Sequence, residues 1–264
     1  VDPMIRKIDE VSLNTLKECM QTVYEDGPKR DQRLWIGDLY LEALGNNYSF
    51  KQHDLTKRCL YLLAGLSDMN GYLLATIIEN PVPRAQDKQF LYEYALLYNA
   101  SLKDYLEATN DKETAEDLWP VAKRQLDIVR TYVKSDGLMD FEKLNEEWWV
   151  FFDWKEDLYK EVATQGIAVF ALKESYKLAQ LLGKEKEVAD IPALADKMTK
   201  AARKNLYDKK AGVFVGLGDK QISYASQIWM ILSGIATKAE GKKALAALNT
   251  IPGVCYPGTP YMYH

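Results

Sequence analysis

Apolar residues recur at helical spacing along nearly the whole chain. Leu55, Cys59, Leu62, Leu63 and Leu66 fall at i, i+4, i+7, i+8 and i+11. Phe90, Leu91, Tyr94, Leu97, Tyr98, Leu102 and Tyr105 form a second such stripe, and Val169, Leu172, Tyr176 and Ala179 a third. A stripe of this kind marks one buried face of a helix. The pattern predicts helices near 5–24, 53–68, 88–108, 112–134, 157–182, 185–206, 221–237 and 239–248. Asn110-Asp111, Gly183 and Gly241 punctuate tight helix–helix turns, and Asn80-Pro81 and Asp136-Gly137 mark longer loops. Pro120 and Pro192 are each expected to open a main helix after a short lead-in, because proline is tolerated in a first turn. The only strand-like stretch is Val213-Phe214-Val215, read as a small hairpin or loop. Segments 25–52 and 135–156 are expected to be long loops, and such loops in compact domains are usually functional.

Short links between long helices imply antiparallel hairpins. Two all-α architectures accept them. An open solenoid wants a pattern recurring at fixed period, and none is found. Unequal loops gathered at one end favour the alternative, a closed (α/α)6 toroid with an inner and an outer helix ring. The expectation is one domain over residues 1–264, incomplete at its C-terminal side, because about eight predicted helices fall short of the twelve of a full toroid.

Of the 264 residues, 47% are hydrophobic and 27% charged, an ordinary globular balance with material for a real core. A net charge of −4 argues against a broad nucleic-acid-binding face, which needs clustered Lys and Arg. Cys19, Cys59 and Cys255 are too few and too scattered for a disulfide framework or a zinc site, so no metal is expected. His53 and His264 lack partners in the sequence and read as structural or solvated. No apolar run approaches the length of a membrane helix. The first residues lack the apolar core of a signal peptide and read as a domain cut, which leaves the compartment open, with periplasm or exterior favoured over cytoplasm.

The densest chemistry lies in Asp26-Gly27-Pro28-Lys29-Arg30-Asp31-Gln32-Arg33-Leu34-Trp35-Ile36-Gly37-Asp38. Gly27-Pro28 ends the preceding helix, so the charges sit on a loop. A salt-bridged surface loop is one reading. A sugar site is the other. Glycoside hydrolysis needs one carboxylic acid to protonate the leaving oxygen and a second carboxylate to activate water or attack. Trp35 offers a flat apolar platform, while Arg30 and the aspartates offer hydrogen bonds to hydroxyls. An acid is kept protonated by burial or by a neighbouring like charge, which three aspartates on one loop could supply.

This stretch resembles the signature of glycoside hydrolase family 78, the bacterial α-L-rhamnosidases. In that motif an acidic residue follows the first Asp by five positions and a further Asp follows by seven, matching Asp26, Asp31 and Asp38. The resemblance implies that Asp31 is the general acid, that Asp26 and Asp38 bind rhamnose hydroxyls, and that Trp35 walls the pocket. Many members carry Glu at the acid position, so Asp31 is one methylene shorter. Downstream, Trp148-Trp149-Val150-Phe151-Phe152-Asp153-Trp154 resembles the family's aromatic–Asp–Trp pocket element. It implies substrate contacts from Trp149, Asp153 and Trp154, although a run of aromatics is also compatible with plain core. At least one of Trp148 and Trp149 is expected inside, because adjacent residues cannot face the same way.

The resemblance also places the family's catalytic base, a Glu, tens of residues after Gly258-Thr259-Pro260, and no residue of this sequence matches it. The expectation is therefore an inverting rhamnosidase region, inactive alone, acting on a rhamnose-containing glycoside or polysaccharide without cofactor, and accompanied by further domains of its parent. The alternatives are another (α/α)6 carbohydrate hydrolase, such as a glucuronyl hydrolase or a glucosidase, and a sugar-binding helical remnant without turnover.

Overall fold

The computed structural model describes residues 2–218 and 220–263, so His264 lies outside the described residues. In chain order the elements are α1 (Pro3–Cys19), β1 (Leu34–Trp35), α2 (Ile36–Tyr48), α3 (His53–Gly65), β2 (Thr76–Ile78), β3 (Arg84–Ala85), α4 (Tyr92–Thr109), α5 (Lys112–Tyr132), α6 (Phe141–Glu147), α7 (Glu161–Leu182), α8 (Ile191–Asn205), β4 (Tyr207–Asp208), β5 (Val213–Phe214), α9 (Tyr224–Leu232) and α10 (Lys238–Leu248). The class is all-α, as the periodicity predicts. The chain divides into two compact units, Val1–Gln125 and Leu126–His264. No described helix is long and apolar enough to cross a membrane.

In the first unit the predicted stripes are buried in part, with Leu55, Leu62, Leu66, Phe90 and Tyr94 half-buried at their margins. Cys59, Leu60 and Leu63 of α3 and Leu97, Tyr98, Leu102 and Tyr105 of α4 lie in the core. Segment 25–52 is not one long loop: α2 occupies thirteen residues of it. Its apolar stripe, Ile36, Leu39 and Ala43, is buried, which outweighs the poor helix propensity of Gly37, Gly45, Asn46 and Asn47. A three-stranded antiparallel sheet also escapes the sequence reading. It pairs Leu34 with Ile77 and Trp35 with Thr76, then Ile77 with Ala85 and Ile78 with Arg84. Strands of two or three residues are too short to display an alternation. Pro120 lies inside a continuous α5 rather than opening it. Leu118, Trp119 and Ala122 are buried on either side of it, and that burial offsets the one backbone hydrogen bond that proline cannot donate.

In the second unit α7 packs on α8 and α9. Gly166 of α7 faces Trp229 of α9 so closely that an added Cβ would sit 2.7 Å from the Trp229 Cβ. Pro192 does begin α8, after a 3-10 turn over Glu185–Val188. The predicted hairpin forms from β4 and β5, and the Gln227 side chain closes it with bonds of 2.8 Å both from the Phe214 amide and to the Phe214 carbonyl.

Glu240 ties the start of α10 to α8. It completes a capping box with Thr237 at the start of α10 and takes a two-pronged bond from Arg203 of α8, at 2.8 and 2.9 Å. The Arg203 hydrogen bonds pull its carboxyl down to about 2. A depressed folded-state value stabilises above the ordinary carboxylate range and loses that contribution as the pH falls towards 2. Glu240→Ala is expected to cost on the order of 1–2 kcal/mol at pH 7. Thermal melts should show the gap to the parent narrowing at pH 3; a gap of equal size there would contradict the ionic part of the argument.

Candidate active site

Residues 26–33 close into a tight loop. The Asp26 amide donates to the Arg33 carbonyl at 3.0 Å, and the Arg33 amide donates back to Asp26 Oδ1 at 3.1 Å. Inside it the Arg30 and Gln32 amides donate to the Gly27 carbonyl at 3.0 and 3.3 Å, and Gln32 turns through a left-handed φ of 53°. The Asp26 side chain is 7% exposed, whereas Arg30, 3.7 Å from its Oδ2, reaches into solvent. Burial pushes the Asp26 carboxyl up, opposed by the Arg33 amide, and the charge of Asp31 adds to the rise. Asp31 is exposed on the same loop, near enough for that charge to be felt.

β1 carries the chain from this loop into α2. Trp35 ends the strand half-buried, its ring edge-on to Tyr94 at 6.2 Å. Gly37 follows, and a Cβ there would fall 2.4 Å from Tyr94 Cζ. Only glycine lets the first turn of α2 lie against that ring. Gly37→Ala should therefore shift Trp35 and Asp38 and cost about 1–3 kcal/mol by overpacking. Melting curves together with tryptophan fluorescence would report it, and an unshifted melt would show that Tyr94 yields freely.

Asp38 sits in the first turn of α2, where backbone amides favour a carboxylate. Burial nevertheless pushes it up to about 6, with the neighbouring charge of Asp26 adding to the rise. One turn further along α2, burial and then Asp38 push Glu42 up to about 9. Asp26 thus feels the charge of Asp31, Asp38 that of Asp26, and Glu42 that of Asp38. Glu42 was absent from the sequence-based site. Its signal, the i, i+4 spacing from Asp38, becomes readable only once 36–48 is known to be a helix.

The second unit carries the aromatic element. Beyond α6 the chain runs extended from Trp148, at φ −120° and ψ 131°. Successive side chains therefore face opposite ways. Trp148 is buried at 7% exposure, Trp149 is 42% exposed, and Val150 is buried again. Trp149, Phe151 and Trp154 form a cluster, with ring centroids 5.3 Å apart for Trp149 and Phe151 and 4.8 Å for Phe151 and Trp154. Trp154 is 70% exposed and presents the widest free face. Asp153 is buried and engaged within the chain. Its Oδ1 accepts from the Trp154 amide at 2.8 Å and from Thr259 Oγ1 at 2.7 Å, and its Oδ2 from the Gly258 amide at 2.6 Å. Among the described residues no group of three or more His, Cys, Asp or Glu could hold a metal ion.

Comparison with known proteins gives this geometry a context. Among solved structures, a rhamnosidase from Klebsiella oxytoca with rhamnose bound superposes with a TM-score of 0.92 at 38% identity, over 100% of this chain and 50% of that one. A GH78 family rhamnosidase of Bacillus sp. GL1 gives 0.81 at 24% identity, over 96% of this chain and 27% of that one. The Streptomyces avermitilis alpha-L-rhamnosidase complexed with L-rhamnose gives 0.67 at 16% identity, over 93% and 22%. The chain thus spans about half the length of the first and about a quarter of the second. No curated protein matches it. The model of the bacterial alpha-L-rhamnosidase 6 hairpin glycosidase domain matches residues 1–251, and the chain belongs to that family.

Proposed function

We propose that this chain provides the sugar-binding and proton-donating part of an inverting α-L-rhamnosidase. The observation that carries the reading is the folded form of residues 26–38. Asp26 and Asp38 are half-buried, Asp38 feels the charge of Asp26, Asp26 feels that of the exposed Asp31, and Trp35 lies on the same segment. In this reading Asp31 protonates the leaving oxygen of a terminal α-L-rhamnoside. Asp26 and Asp38 accept hydrogen bonds from sugar hydroxyls, and Arg30, tethered to Asp26, donates to them. Trp35 supplies an apolar face for the ring, and in the second unit Trp149 and Trp154 present exposed aromatic faces of the kind on which sugars stack. Asp153, with three donors of its own chain, acts by holding Trp154 in place. An inverting enzyme sets its base about 6.5–9.5 Å from the acid, leaving room for a water between them. Residues 26–38 contribute the acid side of that arrangement.

The 38% identity to the Klebsiella rhamnosidase supports the substrate class. The single-domain reading is supported by a family match that runs through both compact units. The substrate is a rhamnose-terminated glycoside or polysaccharide. The test is hydrolysis of an aryl α-L-rhamnoside, with NMR of the first sugar released. β-L-Rhamnose supports the proposal. α-L-Rhamnose would replace inversion by retention, and release of a different sugar from a panel of aryl glycosides would overturn the substrate.

A further inference from the structure

We propose that Glu42 is a positioning residue for Asp38: a carboxyl held in its neutral form one helical turn behind the sugar-binding carboxylate, so that the buried pair carries a single negative charge and Asp38 bears it. The inference rests on the rhamnoside-binding reading of Asp38. The geometry comes first. Residues four apart on a helix lie on the same face, about 5–6 Å apart at Cβ, so Asp38 and Glu42 share one face of α2. Glu42 Oε2 is buried without a hydrogen-bond partner among the described residues. An ionised carboxylate left in that condition is far costlier than a neutral acid.

The charged groups that act on Glu42 all oppose its ionisation, while a hydrogen bond from Cys19 favours it. Asp38 faces it from its own helix and Asp26 and Glu25 from the preceding loop, all of them acidic. From α1 the Cys19 thiol donates to it, and burial together with Glu42 pushes that thiol up to about 12. Tyr24, and Cys59 on α3, also sense its charge, and both are raised mainly by burial. The leading influences on Glu42 include no cation, while Arg30 acts on Asp38. Two like carboxyls in one dry site cannot both ionise easily. The helix decides which one does. Asp38 has the amides of the first turn, including its own, and Glu42 lies beyond their reach. Near neutral pH the pair then holds one proton, which the helix places on Glu42.

Two measurements test this separately from the enzymatic reading. Difference infrared spectra of the chain, taken as the pH rises from 7 to 11, should lose one protonated-carboxyl carbonyl band near pH 9. That loss should be missing in Glu42→Gln, which keeps the neutral shape. A band that titrates identically in Glu42→Gln, or no band at all in the parent, overturns the assignment. Should the glutamine variant fail to fold, Asp38→Asn serves instead. Removing the neighbouring charge should move the band's loss to lower pH by at least about one unit, and an unmoved transition overturns the coupling. In the second measurement, L-rhamnose affinity by calorimetry should change at least threefold between pH 7.5 and pH 10 in the parent and stay constant in Glu42→Gln. The same pH dependence in both proteins overturns the positioning role. A chain that shows the infrared band but binds no rhamnose at either pH keeps Glu42 neutral, and it is the rhamnose reading that falls.

Discussion

Asp31→Asn is expected to lower kcat in the active enzyme by about 10²–10⁴-fold on a rhamnoside with a poor leaving group, with KM within a few-fold of the parent. Asparagine preserves the size of the side chain but has no proton to give. Asp31 lies exposed on the loop that Asp26 and Arg33 close, so its replacement should leave that loop intact. The loss acts on the transition state and not on ground-state binding, and therefore appears in kcat. The leaving group supplies an internal control. A dinitrophenyl rhamnoside departs without protonation, and on it the variant should recover most of its rate. Equal losses on both substrates, or a loss below about tenfold on the poor one, would remove Asp31 from the acid role.

Asp38→Ala is expected to act on binding instead. A hydrogen bond to a charged group contributes about 1.5–3 kcal/mol, so the affinity for L-rhamnose should fall by about 10–100-fold. The pH dependence carries a sign. Asp38 is held up to about 6 by burial and by Asp26. Its carboxylate, and the affinity that depends on it, is present above that value and lost as the pH falls through it. Asp38→Asn should bind rhamnose weakly at every pH, without an acid-side transition. A transition near pH 6 that survives in Asp38→Asn would assign it to another group, with Asp26 the first to examine.

The legible parts of this molecule are those set by local pattern. Stripes such as Leu55 to Leu66 and Val169 to Ala179 announce α3 and α7, because a buried helix face repeats within a dozen residues. The 26–38 segment is legible for a different reason: Gly27 and Pro28 mark the loop over 26–33, and the spacing of its acidic residues carries the family resemblance. The alternation of Trp148 and Trp149 followed from chain geometry alone. What failed depended on distance or on competing signals. α2 has a stripe of three residues hidden among Gly37, Gly45, Asn46 and Asn47, and with α2 unseen the relation of Glu42 to Asp38 was invisible. The β1–β2–β3 sheet joins Leu34 to Ile77 across a long separation, in strands too short to show a period. The donors to Asp153 at Gly258 and Thr259 were equally out of reach, lying 105 and 106 positions away.

That last arrangement has a consequence for how the second unit breathes. One buried carboxylate joins the turn that carries Trp154 to the turn at 258–259, and each turn gives it an amide, Trp154 in one and Gly258 in the other. Each amide is held from exchange while its bond to Asp153 lasts. The two turns are hinged on a common pin, so deuterium should enter Trp154 and Gly258 through one opening event, despite the hundred residues of chain between them.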